Sequence, residues 1–240
     1  APVQWYRNGE AVAGAQSGVL TLGSLALSDQ GEYEARIGGG SQTYTVGAGS
    51  IAVVAITRQP EAKTLVTLGT LFGLSVEGGS ALPLSYQWYL NGGTLVGATS
   101  GTLSVTNADL LSLGTYTARV SAGSVSVVSN PARVSLQPLV TGTLRANGIA
   151  GHPFNYQITG NVAANAFFAS GLPAGLSVST SSGSITGVPV SGGTTDATIG
   201  FSNEDGNPSA ILTIDVLGPP VLTGTLQAAG VIGTAFSYQV

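Results

Sequence analysis

Cysteine and methionine are both absent from the 240 residues, and histidine (His152) and lysine (Lys63) occur once each. Without cysteine there is no disulfide, no thiolate nucleophile and no zinc–thiolate site. Without methionine the chain is expected to be processed or cut from something longer. Its opening residues, APVQWYR, lack the apolar stretch of a signal peptide. Charged residues make up only 8%, against about 25% in an average globular chain. The net charge of −4 gives no basic footprint, so no nucleic-acid partner is expected. No apolar run approaches the roughly 18 residues of a membrane-crossing helix, so no membrane insertion is expected. What the sequence has is 43% apolar residues and 36 glycines, with serine and threonine crowding the alternating stretches. That composition excludes disorder, which pairs low hydrophobicity with high charge, and suits short strands joined by tight turns.

Self-comparison shows two kinds of repeat. Residues 3–37 (VQWYRNGEAVAGAQSGVLTLGSLALSDQGEYEARI) align without a gap on 86–120 (YQWYLNGGTLVGATSGTLSVTNADLLSLGTYTARV), 83 residues on. Residues 139–158 (LVTGTLRANGIAGHPFNYQI) return at 221–240 (VLTGTLQAAGVIGTAFSYQV), with ten of twenty positions identical. Period-two alternation in TLSVT, TYTARVSAGSVSVVS and ATIGFS predicts half-buried strands. Asn8-Gly9 and Asn91-Gly92 predict tight turns, because both residue types tolerate positive φ. Pro60, Pro131, Pro138 and Pro219-Pro220 fall between units, where a residue without an N–H costs no ladder hydrogen bond. Nothing longer than a turn shows a helical period. The expected fold is all-β, a row of β-sandwiches with boundaries at 1–54, 55–137, 138–217 and a further unit from 218.

In the first two units, QWY followed by SDQGEYEA (28–35) resembles the I-set immunoglobulin-like domains of bacterial surface proteins. The resemblance implies that Trp5 and Trp88 are the core tryptophans of strand C, and that Tyr33 and Tyr116 are the corner tyrosines of strand F. Asp29 and Gly31 match the corner motif in the first unit and Gly114 matches it in the second, where Ser112 replaces the Asp. The family's cysteine positions are Ala35 and Ala118, which implies an apolar partner near Leu74 in strand B in place of a disulfide worth about 2–5 kcal/mol. The third unit is similar to the putative-Ig repeats of bacterial surface proteins, through GHPFNYQI (151–158), ASGLPAGLSVSTSSGSITGVP (169–189) and FSNEDGNPSAILTIDV (201–216). Together these imply tandem immunoglobulin-like sandwiches with an incomplete N-terminal unit and a partial C-terminal one.

In the second unit 33 residues (55–87) precede Trp88, whereas four precede Trp5. Strands A and B of the first unit are therefore expected to be missing, and 218–240 to supply one A-like and one B-like strand. Two readings stand: residues outside the sequence complete the first unit, or 218–240 of one copy completes 1–54 of a neighbour, head to tail.

Chemistry is sparsely provisioned. His152 faces Thr234 in the sister repeat, which fits a loop residue. No Gly-x-Ser-x-Gly elbow occurs. Glu32 and Glu34 alternate along one strand, with no partner evident. GAGSIA (47–52) matches a dinucleotide fingerprint, but a β-branched strand follows where that motif needs a helix. Asn203, Glu204, Asp205 and Asn207 offer oxygens suited to calcium, although Asp205-Gly206 alone predicts a turn. Tyr6, Tyr44 and Tyr89 are candidates for an outward glycan-stacking strip. No catalytic residue, cofactor or metal is assigned. The resemblance implies an extracellular or cell-surface structural role, in a filament or adhesin stalk. The alternative is a polysaccharide- or protein-binding accessory module of a large secreted protein.

Overall fold

The computed structural model describes residues 2–39, 42–220 and 227–237, and the chain divides into two compact units, 1–136 and 137–240. Every regular element among the described residues is a strand, apart from two 3₁₀ turns at Leu27–Asp29 and Leu110–Ser112.

The first unit holds two modules, of which the leading one is a single sheet among the described residues. The leading one has β1 (Val3–Arg7), β2 (Glu10–Ala11), β3 (Gly31–Gly39) and β4 (Gln42–Ile51), in the antiparallel order β2-β1-β3-β4. Asn8 and Gly9 turn β1 into β2 with φ of 50° and 85°, the doubly positive geometry of the commonest tight hairpin. The Asn8 side chain has a second role: its Oδ1 accepts the Glu32 N–H at 2.9 Å. A Cβ on Gly31 would sit 2.5 Å from that same oxygen, which is why the corner motif needs glycine there. Asn91, Gly114 and Thr115 repeat the arrangement, with Thr115 N–H to Asn91 Oδ1 at 2.9 Å.

The second module is complete. Its strands are β5 (Ala55–Arg58), β6 (Lys63–Val66), β7 (Phe72–Ser75), β8 (Glu77–Gly79), β9 (Leu84–Leu90), β10 (Gly93–Thr94), β11 (Thr102–Val105), β12 (Gly114–Ala122), β13 (Val125–Val128) and β14 (Ala132–Leu136). One sheet runs β10-β9-β12-β14-β6, with β13 also on β12; β11 pairs β7 and β5 pairs β8. Strand β6 lies parallel to β14, Arg133 opposite Lys63 through Leu136 opposite Val66. Phe72, Leu74 and Val76, at every second position, bury against Trp88, Tyr116 and Ala118. Trp88 and Ala118 have no exposed surface, and Phe72 meets Tyr116 edge-on at 6.1 Å.

The second unit has β15 (Val140–Thr141), β16 (Arg145–Ile149), β17 (Phe154–Gln157), β18 (Thr159–Gly160), β19 (Ala166–Ser170), β20 (Leu176–Val178), β21 (Ser184–Gly187), β22 (Gly193–Ser202) and β23 (Ser209–Leu217). The sheets β16-β23-β22-β19 and β17-β21-β20 enclose Phe154, Ile158, Ile185, Ile199, Leu212 and Ile214. As in the second module, an early strand, β16, lies parallel to the last one, β23.

Of the stretch 218–240 expected to supply an A-like and a B-like strand, the described residues 227–237 carry a turn and no strand. No sheet edge among the described residues pairs with them, and an isolated strand has nothing to satisfy its backbone. The flanks of that expectation, 221–226 and 238–240, lie outside the described residues.

Candidate functional site

The two modules of the first unit share one set of core residues, so each position has an internal control 83 residues away. Trp5 pairs with Ala35 and Tyr33 with Gly49, as Trp88 pairs with Ala118 and Tyr116 with Ala132. Both indole N–H groups donate to a backbone carbonyl at 2.9 Å, Trp5 to Ser17 and Trp88 to Ser100. Both corner tyrosines donate four residues back, Tyr33 to Asp29 O at 2.8 Å and Tyr116 to Ser112 O at 2.7 Å. Because the acceptor is a carbonyl, replacing Asp by Ser at 112 leaves the corner intact. The Ser112 side chain supplies a cap instead, accepting the Asp109 N–H at 2.8 Å. Burial raises the Tyr116 phenol above its ordinary value of 10.0, with the Asp109 charge second.

The modules differ on the face that these residues present. In the second, β7 pairs with β11, placing Leu74 opposite Leu103, and covers the tryptophan. In the first, the matching residues 19–22 form no strand, and Val19 is 72% exposed. Tyr33 and Ala35 are still buried, at 5% each, whereas Trp5 is only half-buried. The crossing segment holds itself over part of the sheet through Trp5 N–H to Ala15 O and Val12 N–H to Trp5 O. Beside it lies a groove of about 520 Å³ lined by Trp5, Val19, Leu20, Tyr33 and the β4 stretch from Gly47 to Ile51. Two backbone edges flank this groove: Val19–Leu22, matching the β11 edge that β7 pairs, and the end of β4, matching the β14 edge that β6 pairs. Gln30 ties the module to its neighbour, its Oε1 accepting the N–H groups of Val53 and Ala81.

Other candidate residues are placed plainly. Glu34 is not partnerless as the sequence suggested: it pairs with Arg36, two residues along the same side of β3. That guanidinium also lies 4.1 Å from the centre of the Tyr6 ring, and Arg119 lies 5.7 Å from that of Tyr89. An Arg over one ring face leaves less of each tyrosine for sugar stacking, while Tyr44 is 60% exposed with its hydroxyl on Gln42. His152 is exposed, with Nδ1 3.3 Å from Ala150 O. Asn203 turns its Oδ1 inward to accept the N–H groups of Asp205 and Gly206 at 2.9 and 3.0 Å, an ordinary turn closure. Among the described residues, no group of three or more His, Cys, Asp or Glu is placed to hold a metal, and no helix is long and apolar enough to cross a membrane.

The Asp215 carboxylate is held below its ordinary value of 3.8, first by the Thr194 hydroxyl at 2.7 Å and then by Arg145. A lowered folded value gives stability that is present above the unfolded value and lost as pH falls through the folded one. Thr194→Val is expected to move the Asp215 titration upward toward 3.8, read by carboxyl NMR.

The architecture defines the class: an all-β chain of tandem immunoglobulin-like sandwiches. Residues 137–217 match the family described as Putative Ig domain. The chain is similar in fold to immunoglobulin domains 1–4 of Sidekick-1, at 18% identity and a TM-score of 0.50, covering 90% of this chain and 68% of that one. The chain is also similar to the I67–I69 fragment of the titin I-band, at 13% identity and TM-score 0.46, covering 89% and 87%. A third likeness is to the three N-terminal domains of the bacteriophage RB49 Highly Immunogenic Outer Capsid protein, at 12% and 0.48, covering 91% and 88%. No curated protein matches the chain.

Proposed function

We propose that this chain is a non-catalytic structural segment of an extracellular immunoglobulin-like array, a filament or stalk, whose first module packs its open face against β-structure from outside these residues, whether further chain or a neighbour. The observation that carries this reading is the open apolar face of residues 2–54. Trp5, Val19 and Leu20 line it between two backbone edges that the second module, built on the same repeat, keeps paired. Apolar side chains beside unpaired strand edges are the condition for strand addition. Mechanical continuity is supported by the short passage from β4 to β5, where Val53 is buried and Gln30 spans the joint.

The test uses a synthetic peptide of residues 63–77, the stretch that covers this face in the second module. Added to the whole chain, it is expected to slow amide hydrogen exchange at Val19–Leu22 by at least tenfold. Unchanged exchange at saturating peptide would remove the proposed site.

A further inference from the structure

Two modules joined by a short linker move against each other by default. In the first unit, residues 52–54 are all that separates β4 from β5. We infer that the turn Leu27–Gln30 clamps the leading module onto the second, so that the two form one stiff body, and that the clamp depends on Gln30. The residues concerned, 27–30, 52–58 and 77–81, lie inside the chain, and none of them lines the open face. The turn is held first from its own side. Asp29 Oδ2 accepts the Ala26 N–H at 2.9 Å, the Tyr33 hydroxyl donates to Asp29 O at 2.8 Å, and the Arg7 guanidinium donates to Ser28 O at 2.6 Å. Gln30 then uses both ends of its amide. Its Nε2 donates to Leu27 O at 3.0 Å within the turn, while its Oε1 accepts the Val53 N–H of the linker at 3.4 Å and the Ala81 N–H of the second module. One side chain therefore bonds three segments.

On the receiving side, Leu27 lies over Gly79: a Cβ there would sit 2.7 Å from Leu27 Cδ1 and 3.2 Å from Thr57 Cγ2. The preceding residue meets its own module instead, since a Cβ on Gly78 would sit 2.7 Å from Val120 Cγ1 and 3.1 Å from Leu84 Cδ1. Strand β8 comes this close to both modules because neither position carries a side chain. It is also paired with β5, Ala55 opposite Gly79 and Ile56 opposite Gly78, so the strand that leaves the linker is bonded to the strand that receives Leu27. Within the linker, Val53 is buried and Val54 packs against the second module's core. Linker, turn and receiving strand close a ring of contacts, so bending at 52–54 breaks a member of it.

The repeat supplies its own control 83 residues on, where Leu110 takes the position of Leu27 and Leu113 that of Gln30. The 3₁₀ turn is kept, and Tyr116 donates to Ser112 O as Tyr33 does to Asp29 O. Leu27 is half-buried, however, whereas Leu110 is 65% exposed and Leu113 has no side-chain acceptor. The clamp is thus added to the corner turn in one copy of the repeat, by one glutamine and by a glycine pair in the neighbour.

Double electron–electron resonance on the whole chain tests the clamp. Because the chain has no cysteine, Glu32→Cys and Ser104→Cys, both at exposed sites, place one spin label on each module. A single narrow distance distribution is expected. Gln30→Leu, which installs the residue found at 113 and removes the acceptor, is expected to widen it about twofold through the motion that an unheld interface allows. Leu27→Ala is expected to act in the same direction. Gly79→Ala, whose Cβ displaces the tip of Leu27, reaches the same contact from the second module and is expected to widen the distribution too. Leu110→Ala, at the matching turn, is expected to leave it unchanged. A broad distribution in the otherwise unaltered chain would overturn the inference. So would one that stays narrow when Gln30→Leu and Leu27→Ala are combined, or one that Leu110→Ala widens equally.

Discussion

Trp88→Ala is expected to cost the second module about 3–5 kcal/mol, and Trp5→Ala to cost the first about 1–2 kcal/mol. The two tryptophans occupy one position of one repeat and make the same 2.9 Å bond to a carbonyl. They differ in what lies over them. Trp88 is sealed by Phe72, Leu74 and Val76, so truncation removes apolar area and leaves a cavity in a closed core. Trp5 is half-buried beside a groove that water already reaches, so truncation enlarges an open cleft. Each variant removes its own module's tryptophan, so denaturant melts of both followed by far-ultraviolet circular dichroism give the comparison. Equal losses would mean that the leading module has a closed core.

Gly187→Ala is expected to unfold the second unit, with a loss of about 3–5 kcal/mol, while the melt of residues 1–136 stays in place. Gly187 has φ of +139°, and a Cβ there would overlap the Gly175 carbonyl oxygen and come within 3.0 Å of its carbon. Gly175, at φ +92°, meets the Val188 carbonyl in the same way. The two backbones touch because Val188 N–H donates to Gly175 O at 3.1 Å and Leu176 pairs with Gly187. The strand crossing that GLPAGL makes therefore depends on having no side chain at either point. Gly151→Ala is the control: φ is +78° but nothing lies within 4 Å of its Cβ position, so only backbone strain of about 1–2 kcal/mol is expected. Calorimetry of the two variants separates clash from strain.

Much of this was legible in the sequence, and the reasons differ by residue. The resemblance to I-set domains, carried by QWY and the corner motif, implies the places of Trp88, Tyr116 and Ala118, and period-two alternation marks the strand that holds the last two. Asn8 and Asn91 are readable as turn residues, but their grip on the strand around Gly31 and Gly114 is a long-range contact that no local pattern carries. Residues 19–22 align with 102–105, which form β11, yet form no strand, because a strand needs an edge to pair with as well as alternation. The pairing of Glu34 with Arg36, and the stacking of Arg36 on Tyr6, depend on which side chains share the outer surface of one sheet.

Amide hydrogen exchange at Val19–Leu22, compared with Thr102–Val105 in the same dilute sample, tests the open leading module most directly. The prediction is fast exchange at 19–22 and strong protection at 102–105. Equal protection at both stretches in dilute solution would contradict it.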